Sequence, residues 1–239
     1  MALIIGTNSC SRKWNNTPKH VDPEDSRVVM SAYIKQLSDD RDPLAIARDP
    51  SVAPSFVPLA IDAQTQDLLP AAMQCTIKYA WCALLDEEEA DKLKALVDVI
   101  SGSLSMLIQP PHNQPYDLTV LTQTRILDEI NQTNLLDWSS CAMIRLRPAS
   151  KSTLASLYRL FRTLSEIVPH HEIEMRLHDY APEWHKFRIH LSVAGFVGPA
   201  SSFTSRQQLY DTCLNAWFKI SQILRLESTL LDYNRAIPT

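Results

Sequence analysis

Between Glu172 and Val193 apolar and polar residues take turns, and this alternation constrains the fold more than any other feature of the chain. Ile173, Met175 and Leu177 fall on one side, with Glu172, Glu174, Arg176 and His178 on the other. After Tyr180–Trp184 the pattern resumes, with Phe187, Ile189, Leu191 and Val193 against Lys186, Arg188, His190 and Ser192. A period of two predicts a β-hairpin with one dry and one polar face. Seven apolar side chains at about 1.5–3 kcal/mol each would fix the inward face. Five of the seven histidines lie within the same stretch, His170–His190.

Around the hairpin the pattern predicts an α+β unit. Cys141–Arg147 alternates and reads as a strand ended by Pro148, and Ser150–Val168 carries the helical stripe Leu154, Leu157, Leu160, Phe161, Leu164 and Ile167. Thr204 to about Leu226 gives a last helix with Leu209, Cys213, Ala216, Trp217, Ile220 and Leu224 inward, and Thr204 with Gln207, or Ser205 with Gln208, suits a capping box. The order β-α-β-β-α predicts a small, antiparallel-containing sheet covered by helices on one face. Over roughly residues 140–227 that order resembles most of a ferredoxin-like split βαβ unit, without an evident fourth strand.

The first half reads as helical. Asp22-Pro23-Glu24-Asp25 suits a helix start, and Val28, Val29, Ala32, Tyr33 and Leu37 follow at helical spacing. From Asp67 a second helix carries Met73, Ile77, Ala80, Trp81 and Leu84. Asp86 is placed as its stop and as the cap of a third, whose first turn is Glu87–Glu89 and whose buried face is Leu93, Leu96, Val97, Ile100 and Leu104. Leu121, Ile126, Leu127 and Ile130 predict a fourth, ending near Leu136–Trp138. The expected divisions are an N-terminal segment 1–21, a helical domain 22–138 with a proline-rich arm 42–58, and an α+β domain 139–239. Trp81, Trp138 and Trp217 are expected in the core.

Charge divides along the same boundary. Residues 1–139 hold 11 Lys+Arg and 19 Asp+Glu, net −8, and residues 140–239 hold 12 and 8, net +4. A whole-chain charge of −4 excludes a polybasic nucleic-acid binder, while the two signs permit head-to-tail contact between copies or an anionic partner for the second half. Five cysteines, an odd number without a CxxC, read as free thiols in a reducing compartment. A cytoplasmic setting is expected, because the start of the chain lacks a signal-peptide pattern and no run approaches 18 apolar residues.

With only four glycines there is no GxGxxG and no GxxxxGK[ST], so the common phosphate-cradling loops are excluded. No cofactor, metal or catalytic set is expected, since HxH, HExxH and GxSxG are all missing. The leading expectation is a non-enzymatic, self-assembling structural protein of the viral capsid, nucleocapsid or matrix kind, a homo-oligomer that contacts RNA through its basic second unit. The residues expected to hold nucleic acid are Arg145, Arg147, Arg176, Lys186, Arg188 and His190, on the polar face of the sheet. One alternative is a single-strand RNA-binding module with Tyr180 and Trp184 at the hairpin tip. The other is a small hydrolase-type enzyme with a site between the units near His112, His178 and Glu183.

Overall fold

A computed structural model describes residues 23–38, 57, 60–86, 89–109, 117–146, 151–194 and 203–226. The described elements are helices: α1 (Pro23–Ser38), a 3₁₀ turn at Gln66–Leu68, α2 (Leu69–Asp86), α3 (Ala90–Ile108), α4 (Val120–Gln132), α5 (Leu135–Arg145), α6 (Lys151–Ile167), α7 (His170–Leu177), a 3₁₀ turn at His178–Tyr180, α8 (Ala181–Ala194) and α9 (Phe203–Ile223). No strand occurs among the described residues. The expected α+β class, its sheet, the strand at 141–147 and the hairpin are therefore overturned, and with them the likeness to a split βαβ unit.

The physical reason lies in what a period of two contains. Residues at i and i+4 share a strand face and also share a helix face. In α7 the pair Ile173 and Leu177 is buried, while Met175, between them, is 62% exposed. In α8 the buried residues are Ala181, Trp184, Phe187 and Leu191, and the alternating Ile189 and Val193 point outward. Composition favours the helix too: Glu, Met, Arg, Leu and Lys are strong helix formers, and Pro182 sits in the first turn of α8, where its missing N–H costs nothing. Residues 141–145 of the supposed strand are the end of α5, whose inward face runs Leu135, Trp138, Ser139, Ala142, Met143 and on to Leu146.

Helix α2 is the centre of the first half, packed by α1, α3, α4 and α5. Its Met73, Ile77, Ala80 and Leu84 are buried as their spacing predicts. One stretch, Gln66–Leu85, is long and apolar enough to cross a membrane, although 61% of it is buried inside the protein. In α1 the inward face is Ser26, Met30 and Tyr33 rather than the expected Val28, Val29 and Ala32. The Tyr33 hydroxyl meets Thr76 Oγ1 at 2.7 Å, and burial pushes its pKa up to about 12. The N-cap position of α3 falls at Glu89 rather than Asp86. Helix α4 ends earlier than expected, at Thr133–Asn134. There Asn134 turns left-handed (φ 55°), a conformation that Asn tolerates better than most residues, and α5 begins at the next residue.

In the second half α6 lies along α3 and α9, and α9 also carries α8. Leu154, Leu157, Leu160, Phe161 and Leu164 of α6 are buried, as are Cys213, Ala216, Trp217, Ile220 and Leu224 on the α9 side. The buried residues form one contiguous cluster from Met30 to Leu226, and the expected 138/139 boundary falls inside α5. The segment 1–21, the arm 42–58 apart from Val57, and the side chains of the expected capping box at 204–208 lie outside what is described.

Candidate functional site

Two tryptophans fix α8 on α9. Trp184 and Trp217 stack with ring centroids 5.9 Å apart and planes 15° apart, and Phe187 lies 5.7 Å from Trp184. Each indole N–H has a partner: Trp184 Nε1 donates to Ser221 Oγ (2.8 Å), and Trp217 Nε1 donates to the Trp184 carbonyl (3.0 Å). Ser221 in turn donates to the Trp217 carbonyl at 2.8 Å. Both rings are essentially excluded from solvent, so this is a dry, fully hydrogen-bonded lock that sets the rotation of α8 about its axis.

That rotation decides what α8 shows to solvent. Pro182, Lys186, Ile189 and Val193 follow at i, i+4, i+7 and i+11 and share the side opposite the lock. Ile189 is 50% and Val193 57% exposed. Lys186 donates to Glu183 Oε1 at 2.5 Å beside them. The outer side of α8 thus shows two apolar residues to solvent beside an ion pair.

The expected nucleic-acid residues are distributed differently from the sheet face on which they were placed. Arg145, at the end of α5, donates to the Leu84 carbonyl at the end of α2. Arg176, on α7, donates to Asp128 of α4 and, from Nε, to Glu172 Oε2 at 3.2 Å. Lys186, Arg188 and His190 share α8. The Arg188 guanidinium lies 5.8 Å from the centre of the Trp217 ring, and His190 is exposed. Arg147 lies outside the described residues. So α8 gathers three of the six, and Arg145 and Arg176 tie neighbouring helices together.

The histidines do not converge either. His170, His171, His178 and His190 are exposed, and His171 Nε2 stands 3.5 Å from Glu172 Oε1. His185 is the half-buried one. Its Nδ1 is buried without a hydrogen-bond partner, and burial, helped by the nearby Arg188 charge, lowers its pKa. Among the described residues no group of three His, Cys, Asp or Glu is placed to hold a metal ion. His112, one of the three residues expected at an inter-unit site, lies outside the described residues; His178 and Glu183 are both exposed.

Two polar arrangements were not legible in the sequence. The Tyr180 hydroxyl donates to Asp137 of α5, beside Cys141; burial and the Asp137 charge both raise the Tyr180 pKa. The Cys141 thiol is likewise pushed up by burial and by Asp137, which disfavours a reactive thiolate. Between α3 and α6, Asp98 Oδ2 accepts from Thr153 Oγ1 at 3.1 Å, and Asp98 Oδ1 and Ser101 Oγ are buried without partners. Asp137 and Tyr180 are 43 residues apart, and only the packing of α8 on α5 joins them. Compared with known proteins, the chain matches no family model, no curated protein and no solved structure.

Proposed function

We propose that this chain is a non-enzymatic structural subunit that assembles with copies of itself, of the kind that builds capsid, nucleocapsid or matrix layers. The observation that carries the proposal is the outer side of α8. Ile189 and Val193 stand in water on a helix whose other side is locked by a tryptophan stack. Isolated exposed apolar residues are ordinary; a stripe on a rigid helix is a surface that gains by being covered. The titratable groups with shifted pKa values support the same view, since Tyr33, Tyr180, Cys141 and Cys213 are shifted towards their neutral forms by burial. Such shifts keep the phenols and thiols neutral, which disfavours their use as nucleophiles. Among the described residues Cys75, Cys82, Cys141 and Cys213 are free thiols, which fits a reducing, cytoplasmic setting.

Light scattering across a concentration series at physiological salt tests the proposal. Mass is expected to rise with concentration beyond that of a single chain. A strict monomer at high concentration rejects self-assembly.

A further inference from the structure

We infer that α6 and α9, packed side by side, present one surface for single-stranded nucleic acid. Helix α6 turns its leucines and Phe161 inward, which leaves Lys151, Arg159, Arg162 and Glu166 exposed on its outer side. On α9 the inward packing of Cys213, Trp217 and Ile220 leaves Phe218 and Lys219 facing solvent. The seam between the two helices is bridged from both sides. Lys219 Nζ of α9 stands 5.9 Å from the centre of the half-buried Tyr158 ring of α6, a cation–π distance. Next to Lys219 in the chain, Phe218 is 43% exposed and is held edge-on to Trp217, with ring centroids 5.1 Å apart.

The charge of this surface comes from described side chains alone. Over residues 151–167 and 210–223 the exposed charged groups are four cations, Lys151, Arg159, Arg162 and Lys219, and two carboxylates, Glu166 and Asp211. Arg162 and Glu166 pair with each other at 2.8 Å. Among the described residues no carboxylate pairs with Lys151, Arg159 or Lys219. Lys151 and Arg159 lie about 12 Å apart along the helix axis at 1.5 Å per residue. That spans several phosphates of a stacked strand at about 3.4 Å each, so a polyanion fits better than a single phosphate. The rings choose among polyanions. A single strand offers unstacked bases that an exposed aromatic can meet, whereas a duplex keeps its bases stacked inside. Of the residues expected from the sequence, Arg188 adjoins this surface, 5.8 Å from the centre of the Trp217 ring. Arg145, Arg176 and Lys186 are engaged with Leu84, Asp128 and Glu183.

Fluorescence anisotropy of a labelled oligouridylate, titrated with the full chain at a series of sodium chloride concentrations, tests this. The logarithm of affinity should fall linearly with the logarithm of salt, by about 0.7 per phosphate neutralised. Arg159→Ala should make that slope shallower by about 0.7, and Arg159→Glu should weaken binding about tenfold. Phe218→Ala should weaken binding about tenfold with the slope unchanged, because stacking carries no charge. If Phe218→Ala loses helicity at 222 nm, Phe218→Leu, which keeps an apolar contact but not the ring, takes its place. Lys78→Ala, at an exposed cation of α2, is the control and should change neither affinity nor slope. Four results overturn the assignment: no binding by the unaltered chain, equal losses from Lys78→Ala and Arg159→Ala, duplex RNA bound as tightly as the single strand, or phosphatidylserine vesicles bound where the oligouridylate is not. Self-assembly and this surface fail separately. A monomer that binds keeps the surface, and a chain that assembles without binding loses it.

Discussion

At the scale of single residues, the chain uses its chemically capable groups to hold helices together. Trp184 shows this best. Its ring stacks on Trp217, its N–H meets Ser221, and its carbonyl accepts from Trp217 Nε1. Trp184→Ala would leave a cavity and take from Ser221 one of its two hydrogen bonds, and should cost about 3–5 kcal/mol in urea unfolding monitored at 222 nm. His185 gives a prediction with a sign. Burial and Arg188 hold its folded pKa below the ordinary 6.5, so protons bind the unfolded chain more readily. The contribution of a neutral His185 is therefore fully present above pH 6.5 and is lost as pH falls from 6.5 towards the lower, folded value. The urea midpoint of His185→Gln should fall less between pH 7.5 and pH 5 than that of the unaltered protein. An identical fall in both would mean that His185 titrates normally. The tests at the two residues are independent in kind, since the tryptophan loss should persist at every pH and the histidine effect should appear only on the acid side.

At the scale of elements, the helical and the extended readings of 172–193 differ in which residues matter. A strand face would bury Ile173 and Met175 alike; α7 buries the first and exposes the second. Ile173→Ala should cost about 2–5 kcal/mol, and Met175→Ala should stay within about 0.5 kcal/mol. Equal costs in equilibrium unfolding would restore the extended reading. Much of the helical content was legible beforehand. The stripes of α2, α3, α6 and α9 recur at 3.6-residue spacing within helices of 17 or more residues, long enough to exclude a strand. Helix α7 has eight residues and α8 fourteen, and within so few positions alternation and helical spacing share their i, i+4 pairs. The propensities of Glu, Met, Arg, Leu and Lys, together with the lack of a glycine or Asn-Gly turn at 178–185, were the signals that favoured helix. The outer side of α8 exists only in the helical conformation. Pro182, Lys186, Ile189 and Val193 share no strand face, since 182 and 186 differ in parity from 189 and 193, yet they line one side of a helix. In α1, likewise, the spacing fixed the helix but not its rotation. Val28 and Val29 were expected inside, and Ser26 and Met30 took the inner places.

At the scale of the whole molecule, the division of charge is the property most open to test. The two halves carry −8 and +4, and both expose apolar residues, among them Val28, Val120 and Leu121 in the first and Ile189 and Val193 in the second. Two forces act on a contact between copies and respond to salt in opposite directions. Screening shortens the reach of charge from about 10 Å at 0.1 M to about 3 Å at 1 M salt. Apolar burial is not weakened by simple salts and is strengthened by sulfate. If opposite charge selects the pairing, mean mass by light scattering should fall as sodium chloride rises from about 0.05 to 0.5 M, a range over which the Debye length drops severalfold. Sodium sulfate at matched ionic strength should restore part of the lost mass by favouring burial of Ile189 and Val193. A mass that is constant in chloride and rises in sulfate would assign assembly to apolar burial alone, and the division of charge would play no part in it.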